Sequence, residues 1–211
     1  MIKAVIFDID GVLLDSFEAN LKFFDDLLRK FGHTPPTREE YKGLVASHMK
    51  AIIKQFSKLE SEDDIQKIWI EGRDKKEVPY PSHLLNLPNN LEETIKILHK
   101  DFILGIVTSR ERSGIYKIPQ LASLEKYFKV TVAFEDTNDH KPHPAPLFLA
   151  AKKLNIKPEE CIYIGDTETD LKAARSAGMK AIIFSKEIFK DAHAQTVIFS
   201  ELPEIIKSIN L

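Results

Sequence analysis

The sequence predicts an α/β fold, with a parallel β-sheet covered by helices on both faces and an all-helical segment inserted after the first strand. Strand-like apolar runs alternate with amphipathic helical patterns in the second half of the chain. Alternation of this kind is typical of parallel strands joined by right-handed helical crossovers. The segment 17–83 interrupts this order, because it has helical periodicity and no convincing strand. We therefore expect a sheet-based domain with a helical domain inserted into it.

The size and charge of the chain exclude several classes of protein. Its 211 residues, 43% of them hydrophobic, suffice for one large domain or two small ones. The net charge of −2 gives no reason to expect nucleic acid or an anionic membrane as a partner. The single cysteine, Cys161, opens an apolar run and is expected to be a buried, inert thiol. No apolar stretch approaches the ~18 residues of a membrane span. Asp8 and Asp10 also break the N-terminal apolar run, so we expect no signal peptide and a cytoplasmic protein. We further expect a monomer or a weak homodimer.

Six apolar runs are the expected strands. The first, 2–7, is short and ends at a turn signal, as expected for a strand buried on both faces. The others are 102–108, 130–134, 161–165, 181–184 and 196–199. Four apolar stripes with helical spacing, which start at Leu91, Leu147, Leu171 and Leu202, are the expected helices of the sheet-based domain. Gly178 is the expected C-cap of the third of these helices.

The inserted segment is interpreted as three helices. The first covers 17–31, and Asp15 with Glu18 is expected to form its capping box. The second begins after Thr37 and continues to Phe56, and a third follows it. The segment joins the rest of the chain at two places, which suits a lid that hinges over a site.

Polar side chains follow four of the predicted strands at the point where each strand ends. In chain order they are Asp8 and Asp10, Thr108 and Ser109, Lys141, and Asp166 and Asp170. The carboxyl ends of parallel strands meet at one edge of a sheet, where open α/β sheets bind ligands. Each group alone is also explained by a strand end, a helix cap or a solvated loop, whereas a calcium loop would need a third aspartate and a closing glutamate. Their joint occurrence indicates a functional site.

These groups resemble the motifs of the haloacid dehalogenase-like hydrolase superfamily, whose members are mostly phosphatases. The resembling stretches are Asp8-Ile9-Asp10-Gly11-Val12, Thr108-Ser109, Lys141-Pro142, Gly165-Asp166 and Asp170. The inserted helices resemble the cap of the branch that contains phosphoglycolate phosphatases and β-phosphoglucomutases. The resemblance implies a Rossmann-like core at 1–16 and 84–211 and a helical cap domain at 17–83. It also points to a cis peptide bond before Pro142.

The resemblance implies Mg²⁺-dependent hydrolysis of a small phosphate monoester through a covalent aspartyl phosphate on Asp8. Two unit charges of like sign at about 4 Å repel by roughly 4 kcal/mol at an effective dielectric of about 20, so a carboxylate cannot approach a phosphate dianion unaided. Mg²⁺ held by carboxylates and a carbonyl can supply the positive charge. The family pattern gives Asp8, Asp166 and the backbone carbonyl of Asp10 as ligands, with Asp170 acting directly or through water.

The remaining motif residues also have roles in the resembling enzymes. Asp10 is the acid that protonates the leaving oxygen and then the base that activates water. The Thr108 hydroxyl and the Ser109 backbone N–H hold phosphate oxygens, while Lys141 places a cation against the phosphate and the nucleophile. Arg110 and the glutamate after it are unusual companions of this motif, and the sequence assigns them no role.

Other functions are weighed against hydrolysis of a small phosphorylated metabolite. Asp10 disfavours a dehalogenase or a phosphonoacetaldehyde hydrolase, because those relatives have no acid/base aspartate at this position. A β-phosphoglucomutase is the sharpest rival, but the expected specificity loop of the cap lacks the arginine often found shortly after Gly43. Lys42, Gly43 and His48 of that loop are candidate contacts with the substrate. A phospho-acceptor regulator of the receiver type carries its phosphorylated aspartate on a central strand after an N-terminal acidic pair, and it lacks a helical cap. A non-catalytic phosphate-binding protein would require degraded motifs, and the motif residues are all present.

Overall fold

A computed structural model describes residues 1–45, 47–74 and 76–209, apart from the side chain of Gln120. The chain forms two compact units, one of Met1–Asp15 with Leu87–Leu211 and the other of Ser16–Asn86. The sequence places the domain boundaries at 17 and 84, a few residues from these limits. None of the described helices has the length and apolar character needed to cross a membrane.

The first unit contains a parallel six-stranded sheet with the order β3-β2-β1-β4-β5-β6. Its strands are β1 (Ala4–Phe7), β2 (Ile103–Val107), β3 (Phe128–Val132), β4 (Cys161–Gly165), β5 (Lys180–Phe184) and β6 (Ala194–Thr196). β1 lies between β2 and β4, with Phe7 opposite both Ile106 and Ile164. The strand order reverses at β1, so the carboxyl ends of these three strands border the crevice in which α/β sheets bind ligands.

Ten α-helices are described in the two units. In chain order they are α1 (Phe17–Lys30), α2 (Arg38–Lys42), α3 (Met49–Ser57), α4 (Glu62–Asp74), α5 (Leu91–Asp101), α6 (Arg112–Ile115), α7 (Pro119–Leu124), α8 (Ala145–Leu154), α9 (Glu168–Ser176) and α10 (Leu202–Ile209). The first four belong to the helical unit and the others to the sheet-based unit. The four predicted core helices correspond to α5, α8, α9 and α10. The short α6 and α7 between β2 and β3 were not predicted.

Both faces of the sheet are covered, as the sequence predicts. All four residues of β1 are fully buried. On one face of the sheet, Ala4 and Ile6 belong to the apolar cluster formed with α8 and α9. Side chains alternate along a strand, so Phe7 points to the other face. There its ring centroid lies 6.3 Å from that of Phe199, just before α10. Cys161 is buried and free, and burial raises the pKa of its thiol to about 11. It is therefore the inert core residue that was expected.

Two strands were predicted with the wrong bounds, at 130–134 and 196–199 instead of 128–132 and 194–196. β3 ends at Val132 because the next residues enter a 3₁₀ turn, Phe134–Asp136, in which the Asp136 carboxylate accepts a hydrogen bond from the Ala133 N–H. β6 ends at Thr196, whose hydroxyl accepts a hydrogen bond from the Ile198 N–H and donates one to Glu201. In both places a side chain bonds the backbone locally and replaces the strand ladder.

The helical unit has its own apolar core, formed by α1, α3 and α4 with Tyr41 of α2. The predicted capping box of α1 is wrong, because the helix begins after Ser16 and no side chain caps it. A capping box does form at the start of α2, where Thr37 and Glu40 hydrogen-bond each other in both directions.

The predicted second helix of this unit is in fact two helices, α2 and α3. A turn that begins at Gly43 separates them, and glycine is a poor helix former. α3 then starts anew at His48, whose Nδ1 accepts a hydrogen bond from the Ala51 N–H at 3.3 Å.

Candidate active site

The end of β1 places Asp8 at the centre of the crevice. The Asp8 N–H continues the strand ladder by bonding the Ile164 carbonyl of β4 at 2.8 Å. On the other side, the N–H of Thr108 at the end of β2 bonds the Val132 carbonyl of β3 at 3.0 Å. Backbone pairing therefore fixes Asp8 and Thr108 as the first residues beyond their strands, and both side chains are buried.

Lys141 links Asp8, the candidate nucleophile, to Asp170 in the loop and helix that follow β4. Its Nζ lies 2.6 Å from Asp8 Oδ2 and 2.6 Å from Asp170 Oδ1. The lysine comes from the loop before α8, where the peptide bond to Pro142 is cis, as expected. All three charged side chains are at most one-tenth exposed. Buried charges are stable only when paired and hydrogen-bonded, so this arrangement holds Asp8 in a fixed position beside a cation.

Tyr163 is a site residue that sequence reasoning missed. Its hydroxyl accepts a hydrogen bond from Lys141 Nζ at 3.0 Å and lies 3.1 Å from Asp170 Oδ1 and 3.3 Å from the Val107 carbonyl. The residue sits inside β4, where an aromatic side chain is ordinarily apolar filling. The only available signal was a hydroxyl within the otherwise apolar run 161–165.

Asp170 organises the loop after β4. Its Oδ2 accepts hydrogen bonds from the Thr167 hydroxyl at 2.5 Å, the Thr167 N–H at 3.1 Å and the Asp166 N–H at 3.3 Å. Its other oxygen bonds Lys141. Both oxygens of Asp170 are thus engaged with protein groups, which favours a supporting position over direct coordination of a cation.

Asp8, Asp166 and Asp170 each offer a carboxylate oxygen, and these atoms lie within 4.8 Å of one another. No described residue donates a hydrogen bond to the Asp166 carboxylate. A Cβ atom on Gly11 would lie 1.8 Å from Asp166 Oδ2, and Gly11 has φ +76°, so only glycine suits this position. Hard oxygen donors with one unsatisfied carboxylate are the ligands that Mg²⁺ prefers. The residues therefore fit a magnesium ion.

Burial and mutual repulsion change the acidity of these carboxyl groups. Burial raises the pKa of Asp8 to about 7, although Lys141 opposes the change. Burial and the nearby carboxylates of Asp170 and Asp8 raise the pKa of Asp166 to about 9. The pKa of Asp170 is lowered instead, because the charge and hydrogen bond of Lys141 outweigh the effect of burial. Without a metal, the protein thus favours a proton on Asp166 at neutral pH.

Asp10 is held by a residue to which the sequence assigned no role. Arg110 donates from Nε to Asp10 Oδ2 at 2.7 Å and from Nη2 to Asp10 Oδ1 at 2.6 Å. The Arg110 N–H bonds the Thr108 hydroxyl oxygen at 3.2 Å, which leaves the hydroxyl proton of Thr108 able to donate. Ser109, between Thr108 and Arg110, is exposed and lies two residues beyond the end of β2.

The candidate specificity residues lie in the helical unit. Lys42 ends α2, Gly43 begins the following turn, and His48 caps α3. Burial and the nearby charge of Lys50 lower the pKa of His48. Contact of these residues with a substrate, and the role of this unit as a cap, remain predictions.

Residues 5–184 match the haloacid dehalogenase-like hydrolase family. The chain belongs to this family. The pyrophosphatase PpaX of Bacillus pumilus is 29% identical over 183 residues, which are 85% of this chain and 81% of the relative. The family assignment and the phosphatase-type names of the relatives identify the chain as a phosphatase, which confirms the enzyme class expected from the motifs.

Solved structures share the fold over nearly the whole chain. A protein from Lactobacillus plantarum, provisionally described as a phosphoglycolate phosphatase, has a TM-score of 0.83 at 20% identity and covers 97% of this chain and 99% of its own. A protein from Thermotoga maritima, provisionally described as a β-phosphoglucomutase, has a TM-score of 0.71 at 24% identity, with coverages of 98% and 99%. These are the two groups of the branch that the sequence resembles.

The raised pKa values predict that Mg²⁺ and protons compete for the carboxylate cluster. Asp8 and Asp166 have folded pKa values of about 7 and about 9, above the ordinary 3.8. Their contribution to stability is therefore fully present below pH 3.8 and is lost as pH rises through these two values. We expect the metal-free protein to melt at a lower temperature at pH 9 than at pH 6, and the stabilisation by Mg²⁺ to grow over the same range. Thermal unfolding with and without Mg²⁺ measures both effects.

Asp166→Asn is the control for this titration. It removes the group with the higher pKa, so it should weaken Mg²⁺ binding and flatten the pH dependence of melting above pH 7. An equal Mg²⁺-induced rise in melting temperature at pH 6 and pH 9 in the parent protein would contradict the competition.

Proposed function

We propose that this phosphatase hydrolyses small phosphorylated molecules with Mg²⁺ as cofactor, through a phosphoryl group carried on Asp8. The observation that supports this most is the buried Lys141, which holds Asp8 and Asp170 at 2.6 Å each beside the carboxylate of Asp166. If Lys141, Asp8 and Asp170 only stabilised the fold, the Asp166 carboxylate would not be needed beside them. Its lack of a hydrogen-bond donor among the described residues favours a ligand site instead. Asp8 and Asp166 would hold the Mg²⁺ ion, which would supply positive charge to the phosphate.

The chemistry of the chain's own residues is a two-step displacement. In the first step a carboxylate oxygen of Asp8 forms a bond to phosphorus, the bond to the leaving oxygen breaks, and Asp10 gives that oxygen a proton. In the second step Asp10 takes a proton from water as the water attacks phosphorus, which releases phosphate and restores the Asp8 carboxylate. Lys141 neutralises the charge that gathers on the phosphoryl oxygens, and the Thr108 hydroxyl donates to one of them.

The names of the relatives limit the range of possible substrates only in part. The Bacillus pumilus relative is named a pyrophosphatase, which adds inorganic pyrophosphate to the monoesters expected from the motifs. A mutase is the second candidate, because the fold is shared with a protein described as a β-phosphoglucomutase. We favour hydrolysis, since no arginine follows Gly43 closely in the expected specificity loop.

One assay separates these two candidates. The protein is given Mg²⁺, β-glucose 1-phosphate and a trace of the 1,6-bisphosphate, and both glucose 6-phosphate and free phosphate are followed. We expect phosphate release, from this ester and from a panel that includes inorganic pyrophosphate and phosphoglycolate. Rapid formation of glucose 6-phosphate with little free phosphate would replace hydrolysis by phosphoryl transfer to a sugar. Turnover of no compound at all would favour a non-catalytic phosphate-binding protein.

A further inference from the structure

The ion pair between Arg110 and Asp10 is bidentate and partly shielded from water. Both carboxylate oxygens accept a hydrogen bond, at 2.6 and 2.7 Å. The side chain of Arg110 is 13% exposed and that of Asp10 is 31% exposed. Bidentate guanidinium–carboxylate pairs are among the strongest hydrogen-bonded contacts in proteins. Asp10 is thus tied by both of its oxygens, although it is the residue proposed to carry a proton during turnover.

Both backbone polar groups of Arg110 are hydrogen-bonded. Its N–H bonds the Thr108 hydroxyl oxygen at 3.2 Å, and its carbonyl accepts from the Phe134 N–H at 2.9 Å. The residue follows Ser109 directly, at the end of β2. These bonds fix where the side chain starts, within reach of both carboxylate oxygens of Asp10.

Proton transfer by Asp10 conflicts with this pair. The hydroxyl oxygen of a protonated carboxyl group is a poor acceptor, so one of the two hydrogen bonds from the guanidinium is weakened when Asp10 carries the proton that it gives to a leaving group. Arg110 cannot resolve the conflict by losing its own proton, since guanidinium stays charged in proteins. When the pair opens, a mostly buried cation needs another anion. The substrate is the anion that arrives at that moment.

We propose that Arg110 exchanges Asp10 for a second anionic group on the leaving side of the substrate, and so selects phosphate compounds whose leaving group is itself a phosphate. This inference rests on the function proposed above. Asp10 gives its proton to the leaving oxygen, and the Arg110 guanidinium lies beside Asp10. In a diphosphate the leaving oxygen belongs to the second phosphate, which would therefore come close to this guanidinium. The fork matches two oxygens of a tetrahedral phosphate. In this scheme Arg110 is a positioning and specificity residue, and a substrate with a second phosphate releases Asp10 from it more completely than a simple ester does.

The kinetic test compares three substrates in three variants. Inorganic pyrophosphate carries a second phosphate, phosphoglycolate carries a carboxylate, and p-nitrophenyl phosphate carries no second anion. Arg110→Gln should lower kcat/KM for pyrophosphate by about 10- to 100-fold more than for p-nitrophenyl phosphate, chiefly through KM. Arg110→Lys, which keeps the charge without the fork, should recover part of this loss. The control, Arg112→Gln, removes a nearby guanidinium that pairs with Asp136 and should leave the substrate ratio unchanged.

The binding test does not depend on turnover. Calorimetry measures the affinity of the Mg²⁺-loaded protein for methylenediphosphonate, which cannot be hydrolysed, in Asp10→Asn, Arg110→Gln and the double variant. If Arg110 must leave Asp10 to bind the ligand, Asp10→Asn should tighten binding roughly 10-fold when Arg110 is present. In the Arg110→Gln background the same change should alter affinity within about 2-fold.

The results separate this inference from the function on which it rests. Equal loss for all three substrates in Arg110→Gln, or additive effects in the binding cycle, would overturn the role of Arg110. A greater loss for phosphoglycolate than for pyrophosphate would overturn the choice of phosphate as the second anion. Unchanged turnover in Asp8→Asn would instead refute the covalent mechanism, while the binding cycle would still decide whether Arg110 reads a diphosphate.

Discussion

Asp8→Asn is expected to reduce hydrolysis of p-nitrophenyl phosphate by roughly 10⁴-fold or more, the loss seen when a covalent nucleophile is removed. The amide keeps the shape of the side chain and can still accept from the Ile9 N–H, which bonds Asp8 Oδ1 at 2.7 Å. Its oxygen cannot form a stable bond to phosphorus. Lys141 keeps Asp170 as a partner, so the fold should persist. Steady-state assays with Mg²⁺, together with thermal unfolding, measure both parts of this expectation.

A matched substitution on the surface controls for the change of charge. Asp191 pairs with Arg175 at an exposed position, and Asp191→Asn makes the same chemical change away from the crevice. It should retain full turnover. If Asp8→Asn retained comparable turnover, the phosphoryl group would have to be transferred directly to water, and the aspartyl phosphate would be excluded.

Lys141→Met should cost both activity and stability. The substitution leaves Asp8 and Asp170 buried without their shared cation, and removing one partner of a buried ion pair typically costs about 3–5 kcal/mol. Activity should fall with it, because the phosphate loses the lysine charge. Since a proton can replace the missing cation on a buried carboxylate, the destabilisation should be smaller at pH 5 than at pH 8. Urea unfolding at the two pH values measures the difference.

Tyr163→Phe is the comparison for this effect. It removes a hydrogen-bond partner of Lys141 and Asp170 but no charge, and should cost about 1 kcal/mol. Similar free energies of unfolding for Lys141→Met and Tyr163→Phe would show that the charge of Lys141 contributes little, and that its hydrogen bonds alone hold the site together.

Most of the sheet and the position of the site could be predicted from local sequence. β1 and β4 are short apolar runs ended by acidic motifs, and a fully buried parallel strand has this pattern. The strand ends therefore indicated where Asp8 and Asp166 would lie. The errors in the bounds of β3 and β6 arise from side-chain hydrogen bonds to the backbone. There Asp136 and Thr196 bond nearby backbone groups, a competition that hydrophobic periodicity does not record.

The polar contacts across the site could not be predicted in the same way. Arg110 and Asp10 are 100 residues apart, and Tyr163 meets the Val107 carbonyl across 56 residues. Such pairs depend on which strands become neighbours and on side-chain reach, and neither leaves a local pattern in the sequence. The motif residues were found because their spacing follows strand ends, whereas Arg110 and Tyr163 have no spacing that sets them apart.

The central place of β1 has a consequence for synthesis on the ribosome. Ala4 of β1 pairs with Cys161 of β4, so one side of the first strand has no partner until most of the chain has emerged. Until then β1 is an apolar edge strand, the kind of surface that pairs with other chains. We expect nascent chains truncated before Cys161 to aggregate or to recruit chaperones, and those extended beyond Gly165 to become soluble as the sheet closes around β1.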